Sequence, residues 1–140
     1  MKAMLKIGVS FMFVLSLLGC QTTGGPSDET LLTELLNSVR DSLMAQDIDG
    51  LVALYSENYS DSQGANKAAV REGLAGIKAS GFLEGLEISL ENVELVVNDD
   101  GTATATQVQI AGGGFSLTQT YTFVKEEGSW LVLSAETQGF

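Results

Sequence analysis

The sequence predicts an α+β fold in which three N-terminal helices pack on a curved, four-stranded antiparallel sheet. Apolar residues recur at helical spacing before Gly81 and at every second position from Leu86 onward. The later segments are joined by connections of only a few residues, and such short connections join antiparallel strands. A sheet of this kind needs one face covered, and the helices are the only available cover.

Three segments have the features of helices. The first begins at Asp28 after a Ser27 cap, and one of its faces is apolar. Residues 47–50 (Asp-Ile-Asp-Gly) are predicted to end it, and a short second helix is predicted over residues 51–55. The third helix is predicted over residues 66–79, with Asn66 as its N-terminal cap and Gly81 as its left-handed C-terminal cap. The apolar face of the first helix consists of Leu31, Leu32, Leu35, Leu36, Val39 and Leu43.

Four strands follow. The first is predicted from Leu86 to Val97, with a register shift near Asn92 that is typical of a β-bulge. The other three are predicted over residues 102–110, 115–125 and 129–137. Strict alternation gives each strand two faces. On the second strand it groups Gln107 and Gln109 with Ala103 and Ala105; on the third it groups Phe115, Leu117, Gln119, Tyr121 and Phe123; on the fourth it groups Trp130, Val132, Ser134 and Glu136.

The N-terminal residues have the pattern of a secretory signal peptide. Lys2 and Lys6 precede an apolar run over residues 7–18, which at 12 residues is shorter than the roughly 20 that a membrane-spanning helix needs. The run ends in Leu17-Leu18-Gly19-Cys20, which closely resembles the lipobox of bacterial lipoproteins. The resemblance implies cleavage between Gly19 and Cys20, a diacylglyceryl group on the Cys20 thiol and a further acyl chain on the new amine. Two alternatives stay open: a free periplasmic protein with an incidental cysteine, and an uncleaved membrane anchor.

The predicted organisation is therefore a signal peptide over residues 1–19, a lipidated cysteine with a flexible tether over residues 20–27, and one domain over residues 28–140. The expected location is the cell envelope, with the membrane bound through the lipid on Cys20. Because Gln21 is not the aspartate associated with inner-membrane retention, the outer membrane, facing the periplasm, is favoured in a Gram-negative cell.

Charge and composition exclude several function classes. Without Lys2 and Lys6 the chain has five basic residues against 18 acidic ones, a formal charge of −13, so no nucleic-acid partner is expected. There is no histidine, which excludes Ser-His and Cys-His catalysis and most transition-metal sites. Asn98-Asp99-Asp100-Gly101 lacks the spacing of a calcium loop and is interpreted as a turn. No metal and no cofactor is expected.

Four segments resemble the nuclear transport factor 2-like superfamily, which includes the SnoaL-like and ketosteroid isomerase-like families. They are residues 47–56, 66–73, 121–125 and 128–132, within a match that covers residues 28–138. The resemblance implies a cone-shaped domain with a cavity between the helices and the inner face of the sheet. It does not imply one activity, because this fold hosts isomerases, dehydratases, cyclases, transport adaptors and ligand-binding modules.

The expected function is a membrane-tethered, non-enzymatic binding module that holds a small apolar molecule or a peptide segment in this cavity. Uncharged amides and tyrosines suit ligand orientation in an apolar pocket. The candidate ligand-binding residues are Tyr55, Tyr59, Gln107, Gln119, Tyr121 and Glu136. The competing interpretations are that the tyrosines lie at the edge of the core and that Glu136 is exposed to solvent.

Two other functions stay open. Enzymatic members of the superfamily use a buried carboxylate or histidine with a tyrosine or a second acid, so an isomerase or dehydratase here would need Asp61 or Glu136 with Tyr55, Tyr59 or Tyr121. No catalytic residue is assigned. The third possibility is an envelope interaction protein that forms a homodimer through the open sheet face, which would partly cover the threonine-rich stretches 102–106 and 116–122.

Overall fold

A computed structural model describes residues 25–139 and contains three helices and five strands. The helices are α1 (Asp28–Met44), α2 (Ile48–Ala53) and α3 (Lys67–Ala79). The strands are β1 (Glu87–Ser89), β2 (Glu94–Val97), β3 (Thr102–Gly112), β4 (Phe115–Glu126) and β5 (Ser129–Gln138). The predicted α+β class is confirmed. The predicted cleavage site, Gly19 and Cys20, lies outside the described residues.

All strand pairs are antiparallel, and β1 and β2 both pair with β3, which is followed by β4 and β5. The sheet thus has five strands rather than the predicted four. The predicted first strand is interrupted at residues 90–93, and its two halves resume pairing with β3 at Ser89–Gln109 and Glu94–Thr106. The four residues 90–93 lie opposite only two residues of β3, 107 and 108, so the interruption is larger than the β-bulge that was predicted.

The N-terminal end of each helix is capped by a side chain. Ser27 Oγ accepts a hydrogen bond from the Thr30 amide, and Asn66 Oδ1 accepts one from the Ala69 amide. Residues 47–50 do more than end α1, because the Asp47 carboxylate accepts a hydrogen bond from the Gly50 amide and caps α2. A Cβ at Gly50 would clash with the capping Asp47 carboxylate in its present orientation, so a larger residue here would need this side chain to move. The second helix therefore begins at Ile48, three residues earlier than predicted.

The core lies between α1, α2 and the inner face of the sheet. Helix α1 buries Leu32, Leu35, Leu36, Val39 and Leu43 against it, and Phe123 and Val132 at the centre of the sheet are fully buried. Burying such side chains contributes about 1.5–3 kcal/mol each to folding, an upper estimate. None of the described helices is long and apolar enough to cross a membrane.

Two extra residues change which side chains face the core. Ala105 pairs with Tyr121 but the next pair is Val108–Gln119, so Gln107, with a left-handed φ of 64°, is part of a bulge in β3. Beyond it Val108 and Ile110 face inward, and Gln107 and Gln109 are exposed. The predicted grouping of these glutamines with Ala103 and Ala105 is therefore wrong.

The second bulge lies in β5. Thr122 pairs with Ser134 and Phe123 with Val132, which leaves Leu133 as the extra residue. Trp130 and Val132 face the core, but Ala135 and Thr137 take over the inward positions beyond the bulge. Glu136 is exposed. The predicted alternation through Ser134 and Glu136 fails because Leu133 adds one residue to a two-residue period.

Helix α3 is attached differently from the other helices. None of its residues is fully buried, and α2 is the only described helix or strand that it approaches closely. Lys67 pairs with Glu57, Arg71 pairs with Asp49, and Lys78 Nζ donates a hydrogen bond of 2.8 Å to the Gln46 carbonyl. The apolar face of α3 therefore contacts the core only through partly buried residues, Val70 and Leu74, and space remains between this helix and the sheet.

Candidate ligand cavity

A cavity of about 460 Å³ lies between α3 and the inner face of the sheet. Its helical wall is formed by Leu43 at the end of α1, by Leu51 of α2 and by one face of α3. Its sheet wall is formed by inward residues of β3, β4 and β5. The volume lies within the range of about 300–1,000 Å³ that is typical of small-molecule sites.

Aliphatic side chains make up most of the wall. Helix α3 contributes Val70, Leu74 and Ile77, which is why this helix is amphipathic although none of its residues is fully buried. Leu83 and Leu86 follow it, and Ile110 and Leu117 face them from the sheet. An apolar ligand would gain about 25 cal/mol for each Å² of its surface that leaves water here.

Two phenylalanines stack at one side of the cavity. The ring centroids of Phe82 and Phe115 are 5.3 Å apart with an angle of 21° between the planes. Phe82 is 54% exposed although it is large and apolar. It lies in the turn between Gly81 and Gly85, both with positive φ, and Phe115 begins β4 directly after the 112–114 glycine turn. This aromatic pair therefore joins two turns at the edge of the cavity.

Three tyrosines form the main polar feature of the wall. Tyr55 and Tyr59 are four residues apart in the sequence, and their ring centroids are 4.8 Å apart. Tyr121 faces them from β4, and all three are buried. Burial raises the pKa of Tyr55 and of Tyr121 well above the usual range, because a phenolate would lose its hydration. All three hydroxyl groups are neutral at physiological pH.

The pKa of Tyr59 is raised to about 12, first by burial and second by the negative charge of Asp61, while a hydrogen bond with the Ala135 backbone acts in the opposite direction. Asp61 itself lines the cavity. Its Oδ1 accepts hydrogen bonds from the amides of Gln63 (2.9 Å) and Ala65 (2.8 Å), which fixes the loop that precedes α3. Among the described residues, Asp61 is the only charged residue in the cavity wall.

A hydrogen-bonded chain crosses the sheet wall. The Tyr121 hydroxyl donates to Gln119 Oε1, and Gln119 Nε2 donates to Thr137 Oγ1 over 3.3 Å. Gln119 is held from both sides and still has a second amide hydrogen for a ligand. In the part of the chain that the structure describes, no group of three His, Cys, Asp or Glu residues is arranged to hold a metal ion.

Four of the six residues predicted to bind a ligand line the cavity: Tyr55, Tyr59, Gln119 and Tyr121. Gln107 and Glu136 lie outside it, because the bulges in β3 and β5 shift the inward positions. Of the two carboxylates considered for catalysis, Asp61 is in the wall and Glu136 is not. The sequence reasoning did not identify Phe82, whose signal was an aromatic residue in a turn bounded by Gly81 and Gly85.

The comparisons with protein-family models and with curated proteins gave no match. Solved structures with the same fold are numerous. A cystatin-like protein of unknown function from Nostoc punctiforme is 18% identical, with 79% of this chain and 89% of that chain covered and a TM-score of 0.63. A nuclear transport factor 2-like protein from Novosphingobium aromaticivorans is 19% identical, with 79% and 80% covered and a TM-score of 0.62.

A proposed scytalone dehydratase from Novosphingobium aromaticivorans is also similar, with 19% identity, 77% and 80% of the two chains covered and a TM-score of 0.61. At these identities the likeness concerns the fold alone. The chain therefore has the cystatin-like, nuclear transport factor 2-like fold, as its sequence predicts.

Proposed function

We propose that this protein is a binding module that holds a small, mostly apolar molecule in the cavity between α3 and the sheet, and that a lipid on Cys20 tethers it to an envelope membrane. The observation that carries the first part is the cavity itself, which is lined mainly by aliphatic and aromatic side chains and contains only a few polar groups. This combination is typical of ligand sites. A space of this size would be unusual in a core that served only for stability, because protein interiors are normally packed without such voids.

Native mass spectrometry of a protein that spans residues 21–140 tests the binding function. This segment contains every described helix and strand. We expect an additional mass of a few hundred daltons that persists without detergent and is lost on denaturation. The control is Leu117→Trp, which places a larger side chain in the cavity wall. An extra mass that stays on this variant would contradict binding in the cavity.

The tether has its own test. Cells that express the full chain and a clickable palmitate analogue should label the wild type and leave Cys20→Ser unlabelled, because only a thiol forms the thioether. Equal labelling of both proteins, or release of the wild type from membranes by high salt alone, would contradict lipid anchoring.

One observation favours an enzyme as a second candidate. Asp61 and three tyrosines line one apolar cavity, and a carboxylate beside tyrosine hydroxyls can move a proton next to a carbonyl group. The neighbour from Novosphingobium aromaticivorans that is proposed as a scytalone dehydratase has the same fold. Conversion of a β,γ-unsaturated ketone to its conjugated isomer, followed by absorbance, is the test. Turnover that is abolished in Asp61→Asn and unchanged in Glu136→Gln would support it.

A homodimer through the outer face of the sheet is the third candidate. Thr104 and Thr122 are paired across β3 and β4, and Thr122 is paired with Ser134, so an uncharged row of hydroxyl groups crosses three strands. In a strongly acidic protein, an uncharged surface is where two copies repel each other least. Analytical ultracentrifugation should show a dimer that Thr122→Glu dissociates; a monomeric wild type would contradict it.

A further inference from the structure

We infer that the ligand of this cavity is an organic cation, an ammonium ion with an apolar body, which Asp61 and the three tyrosines recognise together. This inference rests on the proposed binding function and adds the chemical class of the ligand. It follows from the sign of the charge in the wall, from the aromatic rings that share the cavity with this charge, and from the size and chemistry of the remaining space.

The first step concerns charge. Asp61 supplies one negative charge to the wall, and no Lys or Arg among the described residues lines the cavity. A fatty acid or another carboxylate would bring a second negative charge into the same low-dielectric space without a partner. The excess of acidic residues, 18 against seven basic ones over the whole chain, also raises the local concentration of cations.

The second step concerns the aromatic rings. Tyr55, Tyr59 and Tyr121 share one cavity with Asp61. The rings of Tyr55 and Tyr59 lie against each other, 4.8 Å apart, so a cation would meet the sides of these rings that face the cavity. The faces of aromatic rings carry negative charge density and attract alkylated ammonium groups, more strongly when water is excluded. Little of each ring is accessible, and all three rings contribute to the cavity wall, where water competes less with a ligand than it would on the outer surface.

The third step concerns the apolar body. The remaining wall consists of aliphatic residues of α3 and the sheet, such as Leu74, Ile77, Ile110 and Leu117. At about 30 Å³ for each water-sized group, a volume of about 460 Å³ holds roughly 15 such groups. This is enough for an alkylammonium ion with a chain of about ten carbons.

Asp61 also has a structural role, because its Oδ1 accepts the two backbone hydrogen bonds of the 61–65 loop. Asparagine has an oxygen in the same position and keeps these acceptors. Asp61→Asn therefore removes the charge and retains the loop. Glu136→Gln is the matched control, since it removes one negative charge from the same chain at an exposed position outside the cavity.

The experiment is isothermal titration calorimetry of residues 21–140 with three probes below their micelle concentrations: decyltrimethylammonium, 1-decanol and decanoate. We expect decyltrimethylammonium to bind about tenfold more tightly than 1-decanol, and decanoate more weakly than both. Asp61→Asn should lower the affinity for the cation about tenfold and leave that for 1-decanol within about twofold. Glu136→Gln should change neither.

Two results would overturn the inference and leave the binding function intact: similar affinities of the wild type for the cation and 1-decanol, or an equal loss of cation affinity in Asp61→Asn and Glu136→Gln. The second result would mean that the cation responds only to total charge. Failure of all three probes to bind, or equal binding to Leu117→Trp and to a second cavity-filling variant, Val70→Phe, would remove the proposed binding function as well.

Discussion

Trp130 Nε1 donates a hydrogen bond of 3.0 Å to Asp28 Oδ1, and this contact fixes the first turn of α1 to the last strand of the sheet, 102 residues later. Lys125 Nζ lies 2.7 Å from the same oxygen and 5.8 Å from the centre of the Trp130 ring. The carboxylate is also at the positive end of the helix dipole. One side chain therefore interacts with a helix dipole, orients an indole and pairs with a lysine.

The Asp28 contact should make stability depend on pH under acidic conditions. The hydrogen bond from Lys125, followed by that from Trp130, holds the pKa of Asp28 below its usual 3.8. Because the folded-state pKa is lowered, the stabilisation is complete above the unfolded value and is lost as the pH falls through the folded value. Asp28→Asn should therefore be less stable than the wild type at pH 7, and the difference should shrink below pH 3.8. Urea unfolding at several pH values measures it, and a difference that does not change with pH would contradict the ion pair.

The bulge in β3 should make two neighbouring glutamines respond in opposite directions to glycine. Gln107 has a φ of 64°, which costs about 1 kcal/mol for a residue with a Cβ. We expect Gln107→Gly to raise the free energy of unfolding by up to about 1 kcal/mol. Gln109 lies in the same strand and does not have a positive φ. Gln109→Gly should therefore lower the free energy of unfolding by about 0.5–1 kcal/mol. Equal losses in both variants would show that residue 107 is not left-handed.

The cavity should accept extra volume that the core does not accept. Leu117 lines the cavity, whereas Val132 is fully buried in the packed centre of the sheet. Leu117→Phe should keep stability or gain up to about 1 kcal/mol from added contacts, and Val132→Phe should lose about 1–3 kcal/mol from overpacking. Thermal and urea unfolding of both variants compare the two sites. A similar loss in Leu117→Phe would mean that the space is not available.

The three tyrosines should ionise only in strongly alkaline solution. The chain contains only these three, and the pKa of each is raised, that of Tyr59 to about 12. Since the folded-state pKa values lie above the usual 10, this contribution to stability is complete below pH 10 and is lost as the pH rises above it. Absorbance of tyrosinate should show no transition near pH 10 in the native protein and one near pH 10 in urea. A native transition at pH 10 would contradict the burial.

Helix α3 should open more readily than α1. Both helices have side-chain caps, but α1 has five buried residues and α3 has none. Regions with few buried apolar contacts exchange their amide hydrogens sooner, so we expect roughly tenfold or more faster exchange in residues 67–79 than in residues 28–44. A ligand in the cavity should slow amide exchange in α3 and leave the exchange in α1 unchanged. Equal protection of both helices without a ligand would contradict the weaker packing of α3.

Much of the fold can be predicted because its signals are local. Ser27, Asn66 and Gly81 mark helix ends through capping chemistry that depends only on nearby residues. The leucines of α1 and the alternation on β4 identify buried faces, and Tyr121 and Gln119 follow from the second pattern. These signals need no knowledge of what packs against them.

The bulges were not predicted, because strict alternation was assumed along each strand and no glycine or proline marks the extra residues. In β3 the apolar positions change phase, from residues 103 and 105 to residues 108 and 110, which is the sequence trace of the extra residue. In β5 residues 130–133 are all apolar, so the phase is hidden and only the pairing with β4 shows that Leu133 is extra. The shift in β3 moves Gln107 out of the site, and the shift in β5 moves Glu136 out and brings Thr137 in. Nor could amphipathicity show that α3 covers a cavity, since a cavity wall and a packed core both require apolar residues such as Leu74.

The length of α1 also has a practical consequence. Asp28 begins the helix and Leu43, near its other end, touches the cavity, so about 22 Å of rigid helix separates the two. A fusion partner, affinity tag or sensor surface attached before residue 25 therefore joins the domain at the end remote from the binding space. The domain could serve as an immobilised capture reagent whose cavity stays open to the solution.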